Sequence, residues 1–273
     1  MNSLNIIGAG HVGTALGRVF NSGHHLAVQD VLNRSPESAR RAVAAIGAGQ
    51  AADGFTTLRR ADVYLLAVAD DQIEAACAAL SAAGSLSGAV VFHCSGALSS
   101  QHLAAARHAG ASVASVHPIR SFADPAAVSL DFAGTWCGVE GDAAALSLLA
   151  PAFEAAGARL VPIDAQAKTV YHAAAVFASN YLTTLLDAAL RAYEAAGIPR
   201  ELGLRLMQPL ATETLSNVFN MGPEQALSGP VARGDMATVA RQQAALAAWD
   251  GDTGALYAAL VGPTASLAAR KPR

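Results

Sequence analysis

The stretch Leu4-Asn5-Ile6-Ile7-Gly8-Ala9-Gly10-His11-Val12-Gly13 decides the fold. An apolar-rich segment, predicted as a strand over 4–8, runs straight into a GxGxxG turn, and a helix is predicted over 12–22. The strand–glycine turn–helix order gives the motif its meaning. Gly8 permits a tight turn, Gly10 lets the backbone approach a pyrophosphate, and Gly13 lets the helix pack on the strand. The unpaired N–H groups at the helix start then face the phosphates. Gly8, Ala9, Gly10, His11, Val12 and Gly13 are therefore predicted to touch a bound dinucleotide.

Outward from this turn the chain alternates. Further strands are predicted at 26–33, 63–68, 89–94 and 112–116, with helices near 36–46, 71–83 and 99–109. Val63-Tyr64-Leu65-Leu66-Ala67-Val68 and Val90-Val91-Phe92 are continuous apolar runs, the pattern of strands covered on both faces. Alternation of this kind predicts an α/β fold with a parallel Rossmann sheet. A strand from 134 to 140, a helix near 142–156 and a strand at 159–163 complete a first domain, residues 1–164. Beyond it only helices are predicted, at 165–196, 200–219, 235–249 and 253–268. Residues 165–273 thus read as an all-α second domain.

The bulk composition narrows the function. A chain of 273 residues is long enough for two domains and a sizeable core. The net charge of −3 gives no electrostatic pull toward nucleic acid or an anionic membrane. Cys77, Cys94 and Cys137 are odd in number and widely spaced, which argues for neither a disulfide framework nor a zinc site. No metal is expected. The first strand starts too close to Met1 for a leader, and no clean apolar run of ~18 residues stands out. A soluble, cytoplasmic protein is expected.

The carboxyl end of the second strand discriminates between cofactors. An NAD site usually carries Asp or Glu about 20 residues beyond the glycines. Here the chain offers Asn33-Arg34-Ser35. Ser35-Pro36 reads as an N-cap followed by proline at the first helical position, which leaves Asn33 and Arg34 at the strand end. Asp30 lies ~10 Å back inside the strand. An arginine fork suits a 2′-phosphate, so NADP(H) is expected. Ala67-Val68-Ala69-Asp70 and Ser95-Gly96 end two other strands and should flank the ribose and nicotinamide. Asp70 has an alternative role as a helix N-cap.

Reduction of a polar double bond needs a proton donor and a positive group for a carboxylate. His117, before Pro118 at a strand end, is one candidate. Lys168 and His172 lie four apart on the long helix, hence on one face and ~6 Å apart. Ser179 and Asn180 are polar residues in an apolar stretch, with Ser179 about 16 Å beyond Lys168 along the axis. Arg233 lies in the compact Ser228-Gly229-Pro230 to Asp235 loop, where Asp235 is placed to cap the next helix. Lys168, His172 and His117 are the catalytic candidates; Asn180, Ser179 and Arg233 are the substrate-binding ones. A non-catalytic dinucleotide sensor and a deazaflavin-dependent NADP oxidoreductase are the rival readings.

His117-Pro118, Lys168-Thr169-Val170-Tyr171-His172, Ala178-Ser179-Asn180-Tyr181 and Ser228-Gly229-Pro230 with Arg233-Gly234-Asp235 together resemble a family of bacterial oxidoreductases. Its members join a Rossmann-like domain to a domain of unknown function, number 2520. The resemblance covers nearly the whole chain. It implies a helical second domain similar to the C-terminal domain of 6-phosphogluconate dehydrogenase, and a homodimer formed through it. The wider kin are pyrroline-5-carboxylate reductase, β-hydroxyacid dehydrogenases and ketopantoate reductase. Against the Lys-x₃-Asn-x₃-Asn-Pro-Leu-Thr of ketopantoate reductase, Asn180-Tyr181-Leu182-Thr183 puts His172 at the lysine position and Lys168 one turn early. Against the Lys-x₃-Asn of β-hydroxyacid dehydrogenases, Lys168-x₃-His172 aligns with histidine for asparagine. A small keto acid or cyclic imine acid is the substrate class implied.

Overall fold

The computed structural model describes residues 1–271. Its strands are β1 (Ser3–Ile7), β2 (Ala27–Leu32), β3 (Gln50–Ala52), β4 (Val63–Leu66), β5 (Val90–His93), β6 (Ser112–Pro118), β7 (Trp136–Gly141) and β8 (Arg159–Pro162). They form one sheet in the order β3-β2-β1-β4-β5-β6-β7-β8. The first six run parallel; β7 pairs antiparallel with β6 and parallel with β8. The expected parallel sheet is therefore parallel-dominated, with a reversed pair at one edge. β3 was not foreseen: at three residues it is too short to show periodicity.

The helices of this part are α1 (His11–Ser22), α2 (Pro36–Ile46), α3 (Ile73–Ala83), α4 (Ala104–His108), α5 (Pro125–Leu130), α6 (Ala143–Ala155) and α7 (Lys168–Val176). Alternate strand residues point to opposite faces, and each face has its own core. Leu4, Ile6 and Phe92 pack with Leu16 and Phe20 of α1 and Phe153 of α6. Ile7, Leu66 and Val91 pack with Ile73 and Leu80 of α3 and with Leu103. Phe20 and Phe153 meet edge to face at 5.0 Å, a favoured aromatic geometry.

Further along are α8 (Leu182–Ala195), α9 (Arg200–Met221), α10 (Pro223–Ala226), α11 (Met236–Trp249) and α12 (Gly251–Ala269). The chain divides into compact units Met1–Ser179 and Asn180–Arg273. The first unit thus runs past residue 164, because α7 is tied to the sheet by the side chains described below. The predicted helix over 165–196 is helical up to Ala195 but not of one kind. A 3₁₀ turn (Ala165–Ala167) opens it, and a π-helical turn (Phe177–Tyr181) separates α7 from α8. Ala165–Ala195 has the length and composition of a membrane span. Its Lys168 is nonetheless 1% exposed and bonded to the sheet.

In the second unit, Asp235 caps α11 by accepting from the Thr238 amide at 3.0 Å. This unit buries few of its own residues. Of the 22 residues of α9 only Gly203 is buried.

Candidate active site

The glycine turn is built as a phosphate cradle. Gly8 has φ of +86°, and a Cβ there would lie 2.5 Å from Val68 Cγ1 and 2.8 Å from the Val68 amide nitrogen. Gly13 is held 2.9 Å, by the same measure, from the Gly8 carbonyl. A Cβ at Gly10 would meet nothing within 4 Å, so that side of the turn is open. No side chain caps α1, and no acidic residue occupies its first turn. Its leading N–H groups therefore still offer themselves to an anion. Ala9 contributes differently: its amide donates to Asn33 Oδ1 at 2.6 Å. His11 is exposed at the first position of α1 and Val12 is half-buried.

A cleft of about 510 Å³ opens beside this turn, lined by Gly8, Leu32, Arg34, Asp53, Gly54 and Val68 among others. Of the three residues expected around a 2′-phosphate, Arg34 is exposed and lines the cleft. Asn33 lines it too, but its side chain bridges Ala9 to the Ser38 carbonyl, and Ser35 caps α2 by accepting from the Ser38 amide. Both therefore shape the cradle by holding backbone. Asp30 is buried and paired with Arg59, which also covers it through its own amide. Asp53 was missed in the sequence because it follows the unforeseen strand β3. These residues fit a dinucleotide: an open helix start, a left-handed glycine and a cation beside a cleft of adequate size.

A second cluster lies at the carboxyl ends of β5 and β6. Asp70 does not cap α3. It opens a short 3₁₀ turn, and its carboxylate accepts from Ser95 Oγ at 2.8 Å. The same Ser95 oxygen accepts from the amides of Ala97 and Leu98, which locks the Ser95-Gly96 loop. β4 ends at Leu66, two residues short of the predicted strand 63–68, and Ala67, Val68 and Ala69 form the connecting loop, in which the Ala67 amide still donates to the Ile7 carbonyl.

Lys168 lies beneath this loop. Its Nζ donates to the Ser95 carbonyl at 2.9 Å and to Ser115 Oγ. The lysine is thus a buried brace between β5 and β6, where the sequence suggested a carboxylate anchor. Burial lowers its pKa to about 8, with Glu140, Cys94 and Asp70 pulling the other way. Glu140 is itself satisfied by the amide and hydroxyl of Ser100.

His117 and His172 come together over Gly96. Their rings lie 5.5 Å apart at 82°. A Cβ on Gly96 would stand 2.2 Å from His172 Nδ1 and 2.9 Å from His117 Nε2, so only glycine leaves room for both. His117 Nδ1 bonds the Tyr171 hydroxyl at 2.9 Å. Burial, then the charges of His172 and Lys168, push His117 down to about 4. His172 Nδ1 is buried without a hydrogen-bond partner among the described residues. A buried, unpaired ring nitrogen is costly and is the kind of group that a water or a ligand atom satisfies.

Ser179 and Asn180 lie in the π-helical turn and are exposed. That turn changes the helical phase, so counting about 3.6 residues per turn from Lys168 does not give the face on which they stand. Arg233 is exposed in the second unit, in the loop before Asp235.

Sheet order, glycine turn and helical extension define a two-domain protein of the Rossmann-like class. Residues 2–118 match the model of the Rossmann-like domain, and residues 135–264 match the Domain of unknown function (DUF2520). A solved protein from Thermotoga maritima is 30% identical over 99% of this chain and 100% of its own, with a TM-score of 0.73. The chain belongs to the family that joins these two domains. Two more distant structures share the fold. A provisionally named NADP oxidoreductase from Bacteroides fragilis is 19% identical over 97% of this chain and 98% of its own (TM-score 0.81). An imine reductase from Myxococcus stipitatus, solved with NADP+, is 20% identical over 94% and 92% (TM-score 0.67). No curated protein matches the sequence.

Proposed function

We propose that this protein is an NADP(H)-dependent oxidoreductase that reduces the C=O or C=N bond of a small keto acid or cyclic imine acid. One observation carries the reading. Of the three proton-handling candidates, Lys168 and His117 are engaged by protein partners, while His172 keeps a buried nitrogen unpaired over Gly96. Ligands of open α/β sheets lie outside the carboxyl ends of the strands, and this nitrogen stands at that edge. The likeness to an imine reductase solved with NADP+ supports the same chemistry.

In this reading the N–H groups of α1 receive the pyrophosphate and Arg34 the 2′-phosphate. The bound cofactor supplies the hydride. His172 donates from Nδ1 the proton that the reactant's oxygen or nitrogen takes up as the carbon receives the hydride. Lys168 lends positive charge from beneath the Ser95-Gly96 loop, where burial strengthens its field. A screen of NADPH oxidation against ketopantoate, other 2- and 3-keto acids and cyclic imine acids tests the proposal. Turnover of one class supports it. Tight cofactor binding with no turnover across the screen overturns it in favour of a dinucleotide sensor.

Cofactor choice has its own check. By calorimetry, Arg34→Ala is expected to weaken NADP+ binding about 10-fold or more, the loss of one charge-assisted phosphate contact of about 1.5–3 kcal/mol. NAD+ binding should hardly change. Equal losses for both would remove Arg34 from the 2′-phosphate.

We also infer a homodimer formed through the second unit. Leu202, Leu206, Leu210 and Phe219 of α9 are 45–83% exposed. Apolar surface on this scale marks an interaction face, and covering it gains about 25 cal/mol per Å². Light scattering on the eluting protein should give twice the chain mass of 27.6 kDa. A monomer at micromolar concentration would contradict the inference.

A further inference from the structure

The Tyr171 side chain is not used by the reaction proposed above, yet two glycines are shaped around it and its partner. On one side, a Cβ at Gly138 of β7 would come 2.5 Å from the Tyr171 hydroxyl and 2.9 Å from its ring carbon Cζ. On the other, Gly96 leaves room for His117 and His172. Gly138 stands opposite His117 in the β6–β7 ladder, so the hydroxyl is fitted between the histidine and the neighbouring strand. The Tyr171 and His117 rings meet edge to face at 5.5 Å and 85°.

We propose that Tyr171 is a positioning residue: its hydroxyl donates to His117 Nδ1 and so fixes that ring as the Nε2–H tautomer, with the N–H directed at the space over Gly96. The proton inventory leads there. A phenol has one hydrogen to give, and His117 Nδ1 is the acceptor within 2.9 Å. If Nδ1 carried the proton instead, the phenol hydrogen would lose its acceptor in a partly buried position, which is costly. A neutral imidazole that accepts at Nδ1 must carry its proton at Nε2.

Burial, before any neighbouring group, keeps the pair neutral. Lys168 and His172, on α7 with Tyr171, both disfavour a positive His117. From the sheet side, burial raises the Tyr171 phenol to about 12, with Cys137 of β7 adding to that and Gly138 opposing it. The hydroxyl therefore stays protonated at any ordinary pH. The consequence rests on the proposed reduction: His117 acts on the reactant as a neutral hydrogen-bond donor that polarises it, while proton delivery falls to other groups.

Nitrogen-15 NMR of the full chain with labelled histidine tests the assignment without substrate or cofactor, so its outcome is independent of the proposed activity. His117, identified by loss of its signals in His117→Gln, should show a protonated Nε2 and an unprotonated Nδ1 at pH 7. In Tyr171→Phe this pure pattern should give way to a mixture of tautomers. Gly138→Ala, which keeps the phenol but crowds its seat, should do the same while circular dichroism stays unchanged. A wild-type His117 protonated at Nδ1, or a pattern unaltered by Tyr171→Phe, overturns the proposal. If the enzyme turns over a screened substrate, Tyr171→Phe should lower kcat about 10-fold with KM for NADPH unchanged, the signature of a group acting through His117.

Discussion

Lys168→Met is expected to lower turnover by about 10²–10³-fold, the scale on which removal of a preorganised electrostatic donor acts. The wild-type rate should also fall as pH rises through about 8, where Lys168 loses its proton. Stability provides a measurement that needs no substrate. The folded pKa of Lys168 is depressed from 10.5 to about 8 by burial. Between those values the unfolded chain holds a proton that the folded chain has released, so wild-type stability gains with pH across that window. Below pH 8 both states are protonated, and the cost of the buried charge is fully present. The stability of the wild type relative to Lys168→Met should therefore be least favourable at neutral pH and improve from about pH 8 to 10.5. Urea unfolding at pH 7, 8.5 and 10 reads this directly. A difference that does not vary with pH would show that the lysine is not buried as described, and a variant retaining most of the turnover would show that its charge does not serve the reaction.

The second large effect separates the two duties of the glycine turn. Gly8→Ala places a methyl group on a left-handed backbone and against the amide and side chain of Val68, in the loop that follows β4. Roughly 2–5 kcal/mol should be lost from strain and overpacking together. For a chain this long that is a melting temperature lower by roughly 5–15 °C. Gly10→Ala has no such neighbour, because nothing lies within 4 Å of the added carbon. It should fold normally, with a melting temperature within about 2 °C of wild type. Its methyl would nonetheless stand where the backbone must admit a pyrophosphate, so NADP+ binding should weaken at least 10-fold by calorimetry. If Gly10→Ala binds the cofactor normally, the pyrophosphate does not lie on this turn. If Gly8→Ala is as stable as wild type, the turn is looser than its geometry indicates.

Most of the fold was legible before any coordinates. The apolar runs at 63–68 and 89–94, the glycine turn and the caps at Ser35 and Asp235 are local signals, set by side-chain alternation and by hydrogen bonds across three or four residues. Their structural counterparts lie within a few residues of the predicted bounds. What failed was either short or non-local. β3 has too few residues to show a period. The reversal of β7 depends on which strand it pairs with. The π-helical turn at Phe177–Tyr181 leaves an ordinary apolar helix pattern in the sequence while changing which residues share a face.

The candidate site was legible as an inventory but not as an arrangement. Lys168, His172 and His117 were singled out by residue type and position, and the structure does bring them to one sheet edge. Their tasks could not be assigned from spacing. A lysine four residues from a histidine looks equally fit to face solvent or substrate. Only the sheet shows Lys168 tied to Ser95 and Ser115, and only Gly138, far along the chain, explains why Tyr171 rather than solvent holds His117.

The sequence by itself determined the glycine turn, the strand–helix alternation and the arginine at the second strand's end, because each is written in residues that are neighbours along the chain. The tertiary structure decided which ionisable groups are engaged and which ring nitrogen is left unpaired. Burial and hydrogen-bond saturation depend on strands and helices that are distant in sequence, and those two properties settle what a lysine or histidine can do.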